Sequence, residues 1–184
     1  MERLNPRSRS DVFGRKINRT HSTSLAMGLP WISIMLCSLA PILPLIAPAP
    51  ILPPLGYIAL LAWRLPRPGL LPMWAGFPLG FFDDLYSGQP FGCAILLFSG
   101  TLIAIDLLEV RFPWRGFWQD WGVTAVFITA YLVLSGLVSG ADLTFIQLRV
   151  IIPQLLMGIV LYPAFAYAIG LLDRLRLLRV RRLS

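Results

Sequence analysis

The chain has 184 residues, 57% of them hydrophobic and only 14% charged, against roughly 25% charged in an average soluble domain. Sixteen Lys plus Arg against nine Asp plus Glu give a formal charge of +7. A soluble core of this size needs far fewer apolar residues, so the surplus faces lipid and a water-soluble globule is excluded.

The basic charge does not point to nucleic acid. Fifteen of the sixteen basic residues lie in the two tails or in short segments around Arg64 and Arg111, beside long apolar runs. A nucleic-acid reader interleaves basic residues with polar and aromatic groups on a folded surface. Cys37 and Cys93 stand inside apolar stretches without metal-ligand spacing, so both read as small apolar packing groups.

Residues 1–21 form a polar, basic tail with little to bury, expected to be disordered or to lie on anionic lipid. Between Arg19 and Arg64 run 44 residues without a formal charge, about 66 Å of helix. A hydrocarbon core is roughly 30 Å thick, so the run holds two spans. The prolines at 41, 44, 48, 50, 53 and 54 supply the turn between them. The first span is expected at about 22–43 and a short second one at about 51–65. A third follows at about 69–86, with Asp83-Asp84 near its end and a turn at Ser87-Gly88-Gln89-Pro90. The fourth is expected at about 90–109. A charged segment with Trp114, Trp118 and Trp121 then has the composition of a membrane interface. The fifth span is expected at about 118–139 and the sixth at about 147–172, before a basic tail at 173–184. The fold class is therefore all-α, a polytopic membrane bundle of about six transmembrane helices.

With six crossings the basic residues segregate to one side: six in the first tail, Arg64 and Arg67, Arg111 and Arg115, and five in the last tail. By the positive-inside rule both termini are then cytoplasmic, in a bacterial inner membrane. Arg149 is the exception, at the outer start of the sixth helix.

The residues of intramembrane catalysis are missing. The single histidine, His21, cannot supply a zinc site, and no nucleophile elbow or phosphate-cradling loop occurs. No catalytic, cofactor-binding or metal residue is assigned. Asp83 and Asp84 point about 100° apart on a helix and cannot form one dyad. Ionisable groups within a span are costly, so the pair either reaches water at the outer interface or is partnered. Asp84 pairing with Arg149 across the third and sixth helices is the sharper expectation, with Asp142 the competing partner. Gly76 and Gly80, and again Gly136 and Gly140, have the four-residue spacing that lets helix backbones approach.

The stretch Gly76-Phe77-Pro78-Leu79-Gly80-Phe81-Phe82-Asp83-Asp84-Leu85-Tyr86-Ser87-Gly88-Gln89-Pro90-Phe91-Gly92 resembles the signature of the rod shape-determining MreD family. There a glycine-rich membrane helix leads to an aspartate, a Ser-Gly turn and a Pro-x-Gly start of the next span. Pro53-Pro54-Leu55 to Trp63-Arg64-Leu65-Pro66-Arg67-Pro68 is similar to that family's second helix. On this match Asp84 takes the motif aspartate, with Asp83 the alternative one position earlier, and Gly80, Gly88, Pro90 and Gly92 are the small and turn residues. Pro78 departs from the pattern and is expected to kink the third helix. The resemblance implies a non-catalytic component of the cell-elongation machinery, involved in rod shape and lateral peptidoglycan synthesis. It implies an MreC-like bitopic partner and, through it, MreB filaments, the RodA glycosyltransferase and a penicillin-binding transpeptidase. It also implies a fold like the substrate-binding subunits of vitamin transporters. A small-solute carrier with a ligand among Asp84, Arg149 and Trp74 is therefore the alternative.

Overall fold

The computed structural model describes residues 23–42, 52–111, 116–140 and 145–176, with side chains placed at 28–42, 52–111, 116–140 and 151–174. Residues 1–22 and 177–184, residues 43–51 of the proline-rich turn and the Arg149 and Asp142 side chains lie outside the described residues. Among the described residues six α-helices follow in the expected order: α1 (Thr23–Ser38), α2 (Leu55–Arg64), α3 (Gly76–Asp84), α4 (Cys93–Arg111), α5 (Phe117–Val138) and α6 (Phe145–Arg176). Three stretches, α4, α5 and Ile151–Arg174 of α6, are long and apolar enough to cross a membrane.

The short second helix is the centre of the bundle. Its ten residues cover about 15 Å, half of a hydrocarbon core, yet all residues from Tyr57 to Trp63 are at most 1% exposed. A helix that is apolar all round belongs in an interior. Around it α1, α3, α4, α5 and α6 touch in succession, and α6 closes back on α1. Pro53 and Pro54 precede α2, where a missing amide costs nothing. Leu65 keeps helical dihedrals and still bonds Leu61, and the helix ends there because Pro66 has no amide to continue the ladder.

The third helix is shorter than its apolar run suggests. Pro66, Pro68, Gly69 and Pro72 prevent an earlier start, and Gly69 takes a φ of +75° in the turn. One 3-10 turn, Met73–Ala75, leads into α3. Pro78 therefore stands third in the α-helix, where proline is tolerated, and no mid-helix kink is required.

Side-chain contacts show that successive helices alternate in direction. The C-terminal ends of α2 and α4 meet through Arg64, Asp106 and Glu109. The end of α6 joins them through Arg67 and Asp173, 2.9 Å apart. At the opposite end the C-terminus of α3 meets the start of α4.

Within α6, Pro163 cannot donate to the carbonyl of Ile159 four residues earlier. The Trp121 indole of α5 donates to that carbonyl instead, at 3.0 Å. Trp121→Phe is expected to orphan it and lower stability by about 1–3 kcal/mol. In the Pro163→Ala background, where an amide is restored, the same change is expected to cost much less. Denaturation of the four proteins in detergent measures this coupling.

Candidate functional site

The motif residues gather at the α3–α4 hairpin. Asp84 ends α3 and is 6% exposed. Its Oδ2 accepts from the backbone amides of Gly92 at 2.9 Å and Ile95 at 3.2 Å, and its Oδ1 from Ala94 at 2.8 Å. The first amides of a helix have no partners of their own. Asp84 thus caps α4 from the preceding helix, and its charge opposes the positive end of the α4 dipole. Gly88 and Gly92 have φ of +68° and +95°, which only glycine adopts readily. These two residues let the chain reverse within eight positions, while Pro90 is exposed on the turn between them.

Gly76 and Gly80 line the face of α3 that lies on α4. A Cβ at Gly76 would sit 2.6 Å from Ser99 Cα, and one at Gly80 2.6 Å from the Ala94 carbonyl oxygen. The four-residue glycine spacing therefore serves backbone contact inside the chain. Gly136 borders open space and Gly140 takes a φ of +71°, so the second pair makes no such contact.

Asp83 turns the other way. It is 6% exposed, and its carboxylate lies beside the Ser38 hydroxyl where α1 crosses α2 at Gly56. Both aspartates are thus withdrawn into the bundle, unlike the alternative in which they reach water at the interface. They serve separate partners, as their angular separation requires. The side chain of Arg149, the expected partner of Asp84, is outside the described residues.

A polar thread continues from Asp83 into the centre. The Tyr131 hydroxyl approaches Gln89 Oε1 at 3.5 Å, and the Tyr131 ring packs on Tyr57, centroids 4.3 Å apart. Tyr57 shares a 2.7 Å hydrogen bond with Thr101 and donates to the Phe127 carbonyl at 3.4 Å. Trp74, a member of the alternative ligand set, lies at the far end of α3 from Asp84. It is 66% exposed and rests against Trp31, so it does not close a site with Asp84.

The feature that sequence reasoning missed is Arg64. Counted there as a residue of a cytoplasmic segment, it is the last residue of α2 and is 2% exposed. Its guanidinium grips Glu109 with two bonds, 2.8 and 3.1 Å, and also bonds Asp106. The Trp63 indole next to it donates to Ser33 at 2.8 Å, and Arg67 lies over the Trp63 ring. The available signal was the pair Asp106 and Glu109, two acids three residues apart inside an apolar run, which require a cation.

A central buried helix inside five others, three long apolar helices and a carboxylate-capped hairpin define a helical membrane bundle. The chain belongs to the MreD family: the model of rod shape-determining protein MreD matches residues 22–175, from the start of α1 to the end of α6. Comparison with curated proteins and with solved structures finds no match.

Asp84→Ala is expected to leave three amides unmet and to cost about 2 kcal/mol or more, reducing folded protein in membranes. Asp83→Ala, which removes one hydroxyl contact, is expected to cost less. Arginine offers no acceptor to the amides, so Asp84→Arg with Arg149→Asp is expected not to restore the level. Gly80→Val, forced against the α4 backbone, is expected to match Asp84→Ala. Fluorescence-detected size exclusion of the tagged variants measures all four.

Proposed function

We propose that the chain is a non-catalytic inner-membrane component of the cell-elongation complex, supporting rod shape and lateral peptidoglycan synthesis. The observation that carries this reading is the family match over all six helices. The hairpin supports it, because the motif residues Gly80, Asp84, Gly88 and Gly92 are engaged in building a rigid helix pair. On this reading the motif preserves a shape that partners recognise. The partners are an MreC-like bitopic protein and, through it, MreB filaments, a RodA glycosyltransferase and a penicillin-binding transpeptidase. Surrounding lipid completes the environment, and no cofactor is needed.

Both termini face the cytoplasm in this proposal, with residues 1–21 and 173–184 as basic tails flanking the membrane domain at 22–172. The segment after α2 and the ends of α4 and α6 carry Arg67, Arg111 and Arg174, and on the positive-inside rule that end faces the cytoplasm. In a background lacking Cys37 and Cys93, a cysteine replacing Asp142 is expected to react with an impermeant thiol reagent in cells with a permeabilised outer membrane. One replacing Arg115 is expected to stay unlabelled until the inner membrane is opened. The reverse pattern overturns the orientation.

Depletion is expected to round the cells, and the protein is expected to copurify with the bitopic partner in mild detergent. A solute carrier instead gains about 2.7 kcal/mol from a ligand at 100 times its dissociation constant. A thermal-shift screen of vitamins and wall precursors is therefore expected to be flat. A reproducible shift with one solute, together with rod-shaped depleted cells, overturns the elongation reading.

A further inference from the structure

The chain between α2 and α3 runs through part of the membrane's depth without forming a helix. Gly76 faces Ser99 on α4, and Gly80 faces Ala94 and Ile95, so a step back along α3 is a step forward along α4. Extended through the short turn before α3, this register sets Met73 level with Leu102 and Ile103. The apolar length of α4 from Cys93 to Val110 covers about 27 Å, and Ile103 is near its middle. Arg111, where α4 reaches its charged end, is about 12 Å further on. Arg64 lies level with Asp106 and Glu109. Residues 65–72 therefore return from that level to the level of Ile103 as bends and turns, and helical backbone begins again only at Met73.

Such backbone carries polar groups that a helix would satisfy within itself. Pro66, Pro68 and Pro72 have no amide, and the amides of Leu71, Met73 and Trp74 donate to no group among the described residues. Leu71 is buried and holds the segment against the bundle, yet the segment is not enclosed. Pro66, Pro68 and Gly69 are exposed, and Met73 and Trp74 are 52% and 66% exposed. Hydrocarbon offers no acceptor to a bare amide, and irregular backbone is tolerated at membrane depth only inside protein or beside water. An exposed tryptophan also belongs at headgroup level, where its ring meets apolar and wet surroundings together. Both observations bring the polar boundary of the bilayer to Met73 and Trp74, deeper than its position at the end of α4.

We propose that the Leu70–Trp74 segment draws the hydrated lipid headgroup layer inward, thinning the leaflet at the Arg64 end on the α3 side of the molecule to about the level of Ile103. The partner is the lipid surface itself, which brings water to the bare amides and surrounds the Trp74 ring. This goes beyond the elongation reading and holds whichever end of the molecule is cytoplasmic.

Nitroxide labels on single cysteines test this, in the full chain lacking Cys37 and Cys93 and reconstituted in vesicles of phosphatidylcholine and phosphatidylglycerol. The variants are Met73→Cys, Trp74→Cys, Ile103→Cys and Val110→Cys, each at an exposed position, and size exclusion selects the folded fraction. Collisions with oxygen and with a water-soluble nickel chelate report what surrounds each label. Ile103 is expected to collide often with oxygen and seldom with the chelate, as in hydrocarbon, and Val110 to read as an interface. Met73 and Trp74 are expected to match Val110 within about twofold in chelate collisions. They are expected to exceed Ile103 by about fivefold or more, although they share its level. A hydrocarbon reading at either Met73 or Trp74 overturns the proposal. Few collisions with both reagents at these two positions mean that protein covers them, the chain's own tails or a second copy, and overturn it too. Chelate reaching Ile103 as readily as Met73 shows that the ordinary interface lies at that level and that no local thinning exists.

Discussion

An ionised guanidinium at the end of an enclosed helix has to be matched by carboxylates, and in this bundle that requirement couples α2 to α4. Removing one member of a buried ion pair leaves an uncompensated charge and costs about 3–5 kcal/mol. Arg64 therefore dictates where α4 lies along α2, and Glu109, held by two bonds, fixes its rotation as well. The neighbouring contacts extend the same anchorage. Trp63 reaches α1 through Ser33, and Arg67 reaches the end of α6 through Asp173. One end of the molecule is thus fastened by charge around a helix too short to cross the membrane alone.

The other end is fastened by backbone chemistry. Asp84 satisfies amides that a helix start in a low-dielectric setting would otherwise leave bare, and Gly76 and Gly80 bring α3 onto the α4 backbone. Between the two ends, Tyr57 carries its hydroxyl into the core because it shares a hydrogen bond with Thr101 and donates to the Phe127 carbonyl. The interior is accordingly not plain hydrocarbon. Each buried polar group named here works as a positional pin between two helices, with the apolar residues of α2 filling the space around the pins.

The order and the approximate limits of the six helices were legible in the sequence because apolar runs, prolines and turn residues are local signals. The central place of α2 was not. Its shortness was visible, but enclosure depends on five other helices and leaves no periodic trace in a uniformly apolar segment. Arg64 was misjudged for a related reason, since counting basic residues by loop takes no account of depth, and Arg64 lies within the helix itself. Asp83 and Asp84 stood out in the sequence as ionisable residues that either reach water or need partners. Their actual partners include backbone amides and a serine from α1, neither of which a pairing of opposite charges would suggest. The Trp121 contact was equally hidden, because its acceptor is a carbonyl freed by Pro163 on another helix.

The long separation between Arg64 and its counter-charges bears on how the chain is made. Asp106 lies 42 residues after Arg64, and Glu109 45 residues after it. A nascent chain that has delivered α2 to the bilayer presents an unmatched cation until nearly all of α4 has left the ribosome. Neither α2 nor α3 is long enough to be stably held by lipid in the meantime. The first half of the chain therefore has no counter-charge for Arg64 until α4 is present, and a chain cut before Asp106 lacks both of its carboxylates.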